Sequence, residues 1–448
     1  KGGSMAISLA DSGLWGALYG DAELQGFFTD SAELRAMLLV EGALARAEGE
    51  LGIIPELAAQ AIHRASRDVL IDPAALAERT ARDGVAVPAL VAAFRDAMAA
   101  PDHSGWVHWG ATSQDIQDTG LSLRLRRVLE LLDARLDALL GHLGRLADVH
   151  AQTVIAARTR WQIATPTTLG ARIATWGAPL LETRAALRTL SPRVAQLSLA
   201  GASGNNAALR GQGSAVAQAM ARDLGLTLPP VPWHTARDGV RTLAGWCGTL
   251  LVALAKIAQD LLLSALLGEG LRAGAAGGSS TMPHKSNPTG AETLGALAAH
   301  GQALVPAVQT PAQAFERDGR AWGAEMLALP GMVVTTGAAL ARAEALMGDL
   351  SADAVRLRAP LDAAQGLTYA EAASFHWAAS VGLAEARSRV KAACEIAATE
   401  NRHLRDVLTQ VEPRLDWDAV FDTPDTGDAA EIARGFSQAV LSWPGAGD

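Results

Sequence analysis

The densest group of reactive side chains lies in the segment AGAAGGSSTMPHKSNPTGAE, from Ala273 to Glu292. Small residues come first and leave the backbone permissive, and hydroxyls, a histidine, a lysine and an amide follow within nine positions. Asn287 followed by Pro288 predicts a helix start, with Asn287 as the N-cap. Because backbone N–H groups point outward at a helix N-terminus, this segment suits an anionic ligand. A plain linker between helices is the alternative, but a linker does not need SS, MP, HK and NP in series.

A second polar segment, HWGATSQDIQDTG, begins at His108, whose side chain can exchange protons near neutral pH. Thr112 or Ser113 can cap the helix that we predict to start here, and Asp115 favours its first turn. Taken alone, this segment fits an ordinary helix cap better than a functional site.

A third segment, AARTRWQIATPTTLG, carries Arg158, Arg160 and Gln162 ahead of Thr165-Pro166, where we predict another helix start. Guanidinium and amide groups are well suited to binding carboxylates, although surface arginines before a helix would look the same. If the three segments meet in space, they form a concave, cationic pocket for a polyanionic small molecule. Such a pocket would stabilise the charge that develops on a carboxylate when a proton is added or removed at its α carbon.

The elements that would position these segments are long helices. Apolar residues recur at steps of three and four over two stretches, namely Leu121, Leu125, Val128, Leu132, Leu136, Leu139, Leu143 and Leu146, then Val240, Leu243, Cys247, Leu250, Leu254, Ala258, Leu261 and Ala265. A helix of about 30 residues spans ~45 Å, and alternating strand patterns are nearly absent. We therefore predict an all-α protein with a central bundle of long helices. Its expected divisions are an N-terminal helical domain over 1–112, the bundle over 113–354 and a C-terminal helical domain over 355–448.

Composition excludes several classes of protein. The 448 residues are 49% hydrophobic and 19% charged, which argues against disorder. The formal net charge is −9, and no basic domain stands out, so we expect no nucleic-acid partner. The two cysteines cannot build a disulfide framework and do not form a metal-type pair. No stretch reaches the ~20 apolar residues of a membrane span, so we expect a cytoplasmic enzyme with no membrane partner, no cofactor and no metal.

GSSTMPHKSNP resembles the signature of the fumarase/aspartase superfamily, and the other two segments resemble the two remaining active-site segments of that family. The likeness covers nearly the whole chain. It implies a three-domain α-helical subunit whose central bundles form a homotetramer. It also implies that each active site is shared between subunits, which would bring distant segments together.

The same resemblance implies roles for individual residues. Ser279, the first serine of the signature, corresponds to the catalytic acid or base, and His108 and Lys285 would assist it. A serine needs activation to act in this way. The residues implied to bind the substrate are Thr112, Ser113, Arg158, Thr159, Arg160, Gln162, Ser280, Asn287 and Arg317.

Two branches of the superfamily can be compared with this sequence. Adenylosuccinate lyases carry a histidine at the position of Arg160 and a serine-rich, arginine-ended segment after ERD, where this chain has GRAWGAEM with Trp322 and Glu325. Bacterial 3-carboxy-cis,cis-muconate lactonizing enzymes also lack that histidine, and the opening from Leu14 to Pro55 is similar to theirs. Departures from this second branch are Arg160, Pro360, Leu383 and Met326.

The second branch implies an intramolecular lactonization of 3-carboxy-cis,cis-muconate to 4-carboxymuconolactone, a step of protocatechuate (β-ketoadipate) breakdown. One alternative is a C–N lyase similar to adenylosuccinate lyase. Another is a non-catalytic helical scaffold, although the presence of Ser279, Lys285 and Asn287 argues against it.

Overall fold

Helices dominate the computed structural model, which describes residues 8–274, 277–278, 282 and 285–443. In the first half of the chain the helices are α1 (Gly16–Tyr19), α2 (Ala22–Gly26), α3 (Asp30–Glu50), α4 (Glu56–Asp68), α5 (Ala77–Asp83), α6 (Val87–Ala97), α7 (Pro101–Ser104), α8 (Ser113–Val149), α9 (Leu169–Val194) and α10 (Gly213–Leu224). Further along they are α11 (Asp238–Leu267), α12 (Thr289–Gln309), α13 (Gly319–Gly348), α14 (Ala354–Ala363), α15 (Ala370–Val381), α16 (Leu383–Glu400), α17 (Leu404–Val411), α18 (Asp418–Phe421) and α19 (Ala429–Leu441). The predicted all-α class is confirmed.

The strands are short and pair in antiparallel twos. β1 (Val154–Thr159) pairs with β2 (Gln162–Thr168) in a hairpin. The smaller pairs join β3 (Leu271–Arg272) to β6 (Ser351–Ala352) and β4 (Gly277–Gly278) to β5 (Ser286–Asn287). Short 3-10 turns cover Leu9–Asp11, Pro73–Leu76, Ala207–Leu209 and Leu367–Tyr369.

The two long apolar stripes lie on the two predicted long helices. α8 buries its stripe from Leu125 to Leu146 at 3% exposure or less. α11 buries its stripe from Val240 to Leu261, while Ala265 at its C-terminal end is exposed. These helices form because apolar residues recur with the helical period and give each helix one face to bury.

One predicted helix start is wrong, and another is shifted by one residue. β2 extends through Thr165 and Pro166, and α9 begins only at Leu169. Pro166 is tolerated because a two-stranded hairpin consists of edge strands, where a missing N–H donor costs little. α12 begins at Thr289, so Pro288 rather than Asn287 holds the capping position and accepts the N–H of Glu292 at 3.0 Å.

The chain divides into two compact units. Unit 1 comprises the residues up to Ala134 together with Thr183–Val252 and Ala296–Ala339. Its core includes Leu38, Leu90, Phe94, Ile116 and Leu209.

Unit 2 comprises Arg135–Glu182, Ala253–Gly295 and the residues from Leu340 onward. The core of its C-terminal part is built around Trp377, Leu404 and Trp417.

Contrary to the expectation from the sequence that no stretch could span a membrane, two of the long helices are long and apolar enough, by length and composition, to do so. Their most apolar windows have mean hydropathies of 1.9 in α11 and 1.4 in α13. Core helices of soluble proteins satisfy the same criterion, and 67% of the α13 window and 44% of the α11 window are buried.

Candidate active site

One group of candidate residues, within unit 1, lies around the N-terminus of α8. Thr112 precedes the first helical residue, Ser113, and both are half-buried. The backbone N–H of Thr112 donates to the Asp115 carboxylate at 3.0 Å, the reciprocal half of a capping box. The predicted helix start at Thr112 and Ser113 is therefore confirmed.

Asp115 does more than favour the first turn, because it is fully buried. Its Oδ1 accepts the N–H of Ala200 at 2.8 Å, and its Oδ2 accepts the N–H of Gly201 at 3.0 Å. Burial raises the pKa of Asp115 to about 6, although these backbone hydrogen bonds act in the opposite direction. The carboxylate thus joins the start of α8 to the loop that follows Leu199.

His108 lies just ahead of this helix start and contacts a carboxylate of α3. Its Nδ1 is 2.7 Å from Oε1 of Glu41, whose side chain is fully buried. Burial lowers the pKa of His108, but the charge and hydrogen bond of Glu41 outweigh burial, so the net pKa is raised. His108 also has a φ of +64°, a left-handed conformation that is uncommon outside glycine. The loop therefore holds this histidine in one specific arrangement.

Arg317 meets the same region from the segment between α12 and α13. Its guanidinium donates to the side-chain oxygen of Gln114 and, at 3.0 Å, to the backbone carbonyl of Gly201. Gly201 thus contacts both Arg317 and Asp115. Within unit 1 the structure brings the predicted residues His108, Thr112, Ser113 and Arg317 to the N-terminus of α8.

The β1–β2 hairpin carries the predicted arginines, which lie in unit 2. Arg158 donates to Oε1 of Glu269 through Nε at 2.8 Å and through Nη2 at 2.5 Å. Arg172 adds a longer contact of 3.8 Å to the other oxygen of Glu269. The Arg158 guanidinium is therefore already paired with a buried carboxylate inside the subunit, and an arriving substrate carboxylate would compete with Glu269.

The tip of the hairpin is exposed and strained. Thr159 pairs with Gln162, so Arg160 and Trp161 form a two-residue turn, with φ of +50° and +70°. Positive φ at both central residues matches a type I′ turn, which normally takes Asn-Gly. Thr159, Arg160 and Gln162 are all exposed, and Trp161 is 76% exposed.

The signature segment is described only in part. Ser279 and Ser280 lie outside the described residues. Lys285 is exposed, and its backbone N–H donates to the carbonyl of Met282 at 2.9 Å. Asn287 is half-buried in β5, where it pairs with Gly277 directly before α12.

The carboxylates that pair with two of the candidate residues were not predicted from the sequence. They are Glu41, which contacts His108, and Glu269, which accepts from Arg158. A signal for Glu41 exists, because it continues the buried stripe of Leu34, Met37 and Leu38 at helical spacing. A carboxylate on a core-facing position needs a partner or must be neutral. Glu269 carries no comparable signal, because its partner Arg158 is 111 residues away.

Glu325, one of the residues that separate this chain from adenylosuccinate lyases, is also paired inside the subunit. It accepts two hydrogen bonds from the buried Arg237, at 3.0 Å and 2.5 Å. Glu325 therefore belongs to a buried cluster of charged side chains in this chain. Across the part of the chain that the structure describes, no group of three or more His, Cys, Asp or Glu side chains is arranged to hold a metal ion.

Comparisons with known proteins identify the family of this chain. A protein family described as lyase matches residues 20–300. The 3-carboxy-cis,cis-muconate cycloisomerase of Pseudomonas aeruginosa is 41% identical over 402 residues, which cover 88% of each chain. The nitrosuccinate lyase of Streptomyces davaonensis is 34% identical over 90% of this chain and 88% of its own.

A solved structure extends the likeness to three dimensions. The 3-carboxy-cis,cis-muconate lactonizing enzyme of Pseudomonas putida superposes with a TM-score of 0.90 at 36% identity, over 96% of this chain and 100% of its own. Identity and coverage at this level fix both fold and ancestry. The chain therefore belongs to the fumarase/aspartase superfamily of lyases and is similar to the bacterial 3-carboxy-cis,cis-muconate cycloisomerases along almost its whole length.

Proposed function

We propose that the chain converts 3-carboxy-cis,cis-muconate to 4-carboxymuconolactone, a step of protocatechuate breakdown through the β-ketoadipate route. The observation that carries this proposal is the similarity to cycloisomerases over nearly the whole chain. The third segment supports it, because Arg160 stands where adenylosuccinate lyases have a histidine.

The reaction is an isomerisation within one molecule. One carboxylate of the muconate attacks the conjugated diene and closes a lactone ring by forming a C–O bond. The electron pair moves through the diene onto another carboxylate, which becomes an aci-carboxylate. Protonation of its α carbon then regenerates the carboxylate. Holding the substrate in a ring-closing conformation supplies proximity, and cations with helix-end donors stabilise the added charge.

In this proposal Ser279 delivers the proton to carbon, and His108 and Lys285 assist it. Backbone donors at the start of α8, with Thr112 and Ser113, receive one substrate carboxylate, because a helix N-terminus attracts anions. The remaining candidates for contacts with the substrate are Arg158, Thr159, Arg160, Gln162, Ser280, Asn287 and Arg317.

We further propose a homotetramer in which subunits share each active site. The exposed, strained turn at Arg160 and Trp161 supports this idea, because strain persists where function or a partner requires it. Exposed apolar side chains on long helices also support it, among them Val252 and Leu266 on α11 and Leu327 on α13, at 61%, 79% and 88% exposure. Apolar surface of this kind is typical of subunit interfaces.

The chain is a soluble protein whose apolar helices α11 and α13 are partly buried within the subunit. Its cytoplasmic location and the three-domain division at residues 112 and 354 remain predictions. No cofactor or metal is required by the proposed chemistry.

The decisive experiment follows the ultraviolet absorption of the conjugated diene after 3-carboxy-cis,cis-muconate is mixed with the protein. We expect the absorption to disappear as the lactone forms. Adenylosuccinate and nitrosuccinate serve as controls for C–N bond cleavage. A constant absorption with turnover of either control would assign the chain to the lyase alternative, and no turnover of any of them would favour the scaffold.

Ser279→Ala tests the assigned proton donor. We expect turnover to fall by about 100-fold or more, because a positioned acid or base typically contributes 10²–10⁴-fold. Light scattering should give the same mass as for the wild-type protein, and Ser286→Ala in the same segment is the matched control. Near-normal turnover of Ser279→Ala would refute the role.

A further inference from the structure

Two glutamates of α3 are buried without enough partners. Glu41 and Glu48 are seven residues apart on one face of the helix and are 1% and 0% exposed. Oε1 of Glu41 contacts His108, whereas Oε2 of Glu41 and both carboxyl oxygens of Glu48 have no hydrogen-bond partner in the described part of the chain. A charged carboxylate that is buried without hydrogen-bond donors destabilises the folded protein, unless it is neutralised by a proton or faces a cation.

The loop that carries His108 lies directly against this pair of acids. Gly110, two residues after His108, has a φ of +71°, and a Cβ atom there would lie 3.7 Å from Oε1 of Glu48. The same Cβ atom would lie 2.5 Å from the side chain of Leu209, so no larger residue fits without movement. Both acids therefore meet one tightly packed loop.

Glu48 is the acid of this pair whose burial favours the neutral form. Burial, with a further contribution from the charge of Glu41, raises the pKa of Glu48 to about 9, so that Glu48 is protonated at neutral pH. Glu41 lies at hydrogen-bond distance from the imidazole of His108.

Other charged groups also face the imidazole. Asp115 on α8 favours the charged imidazolium, and Arg95 on α6 opposes it. Arg95 donates a hydrogen bond to the carbonyl of Val107 at 2.9 Å. The balance of Glu41, Asp115 and Arg95 favours the protonated histidine.

We propose that Glu41 is a positioning residue that holds His108 as an imidazolium through Nδ1, leaving Nε2–H to donate to a carboxylate of the substrate. In this arrangement Glu48 is a neutral acid, so that Glu41 carries the only negative charge of the pair. The role toward a substrate rests on the proposed function, but the charge state of His108 does not. A purely structural contact between Glu41 and the loop would leave that charge state unimportant for turnover.

The experiment compares Glu41→Gln with Glu48→Gln, two identical changes on one helix. NMR of imidazole-labelled protein measures the pKa of His108, assigned by its absence in His108→Gln. We expect Glu41→Gln to lower this pKa by about one to three units, because an opposite charge is lost. Glu48→Gln should leave it unchanged, because a neutral amide replaces a neutral acid.

The pH profile of kcat/KM for 3-carboxy-cis,cis-muconate provides the second measurement. If the imidazolium binds the substrate, activity falls on the alkaline side as His108 loses its proton, and in Glu41→Gln this limb moves to lower pH by the same shift. Circular dichroism verifies that each variant is folded. Should Glu41→Gln not fold, the wild-type titration decides, and a His108 pKa at or below the ordinary value of about 6.5 overturns the proposal.

The outcomes separate the two proposals. Equal His108 titrations in Glu41→Gln and the wild-type protein would overturn the role of Glu41 whether or not muconate reacts. A lowered pKa with no turnover of muconate by the wild-type protein would overturn the proposed function and leave the charge state assigned here intact. A lowered pKa with an unmoved alkaline limb would refute the donor role of Nε2.

Discussion

Unit 1 contains two buried groups of charged side chains that are organised differently. Arg237, which is 1% exposed, donates to both oxygens of Asp118 at 2.6 Å and 3.0 Å and to both oxygens of Glu325. Its guanidinium also lies 4.4 Å from the ring centre of Trp233. Every carboxylate oxygen of this group has a donor. Of the four carboxyl oxygens of Glu41 and Glu48, a single one contacts a partner among the described residues.

The difference separates a structural group from a titratable one. In the Arg237 group, planar bidentate contacts compensate both carboxylates, so the charges hold α8, α13 and the segment before α11 together. In the Glu41 group burial raises the pKa of Glu48 instead, because a buried acid without donors is more stable when it is neutral. Buried charge by itself therefore identifies no active site, and the unsatisfied group is the better candidate.

The largest effect that we expect is on the satisfied group. Arg237→Met leaves Asp118 and Glu325 buried without compensation and should lower the free energy of unfolding by about 3–5 kcal/mol. Urea denaturation at neutral pH measures this loss. Arg79→Met, which removes an exposed contact to Asp83, is the control and should have little effect. Equal losses in the two variants would contradict the comparison.

The second prediction concerns the pH dependence of the unsatisfied group. The pKa of Glu48, about 9, lies above the ~4.3 of an unfolded glutamate. Between these values the folded protein holds a proton that the unfolded chain lacks, so the free energy of unfolding falls by ~1.4 kcal/mol per pH unit as pH rises. This contribution is fully present below the unfolded pKa and is lost through the folded pKa.

Glu48→Gln removes this contribution, because an amide does not titrate. Between about pH 6 and about pH 8 its free energy of unfolding should fall by ~3 kcal/mol less than that of the wild-type protein. Urea denaturation at both pH values provides the measurement, and Glu50→Gln at the exposed end of α3 should keep the wild-type slope. Parallel curves for Glu48→Gln and the wild-type protein would show that Glu48 is charged in the folded state.

The smallest effect tests how tightly the His108 loop is packed on this group. Gly110 and Gly84 have nearly equal φ values of +71° and +72°, but a Cβ atom would meet Leu209 at the first and nothing within 4 Å at the second. Both alanine variants incur the left-handed strain, and Gly110→Ala should cost roughly 1–3 kcal/mol more through overpacking. Thermal unfolding at one pH compares the two variants. An equal loss of stability would mean that the His108 loop can move to accommodate the added methyl group.

Local patterns predicted most of the helical framework. The stripes of α8 and α11 and the start of α8 at Ser113 follow from spacing and capping residues, which act over a few neighbouring positions. The β1–β2 hairpin was missed because its turn is Arg160-Trp161 rather than a sequence that favours positive φ. Pro166 then favoured the wrong element, since proline begins helices more often than it sits in strands.

The candidate site was predicted unevenly for a related reason. The signature motif, the histidine and the arginines can be recognised in the sequence, because residue type and order along the chain are enough to identify them. The groups that set their charge states are recognisable only in part: Glu41 shows as an acid on an apolar stripe, but its partner lies 67 residues away.

By itself the sequence determined the helical framework, the three polar segments and membership of a lyase superfamily, because periodicity and motifs are written along the chain. Only the tertiary structure decided which acids are paired and which are not. Asp118 and Glu325 reach Arg237 across 119 and 88 residues, while Glu48 reaches no donor in the described part of the chain. A buried charge is stabilised or destabilised by whatever packs against it, and chain folding alone brings those neighbours together.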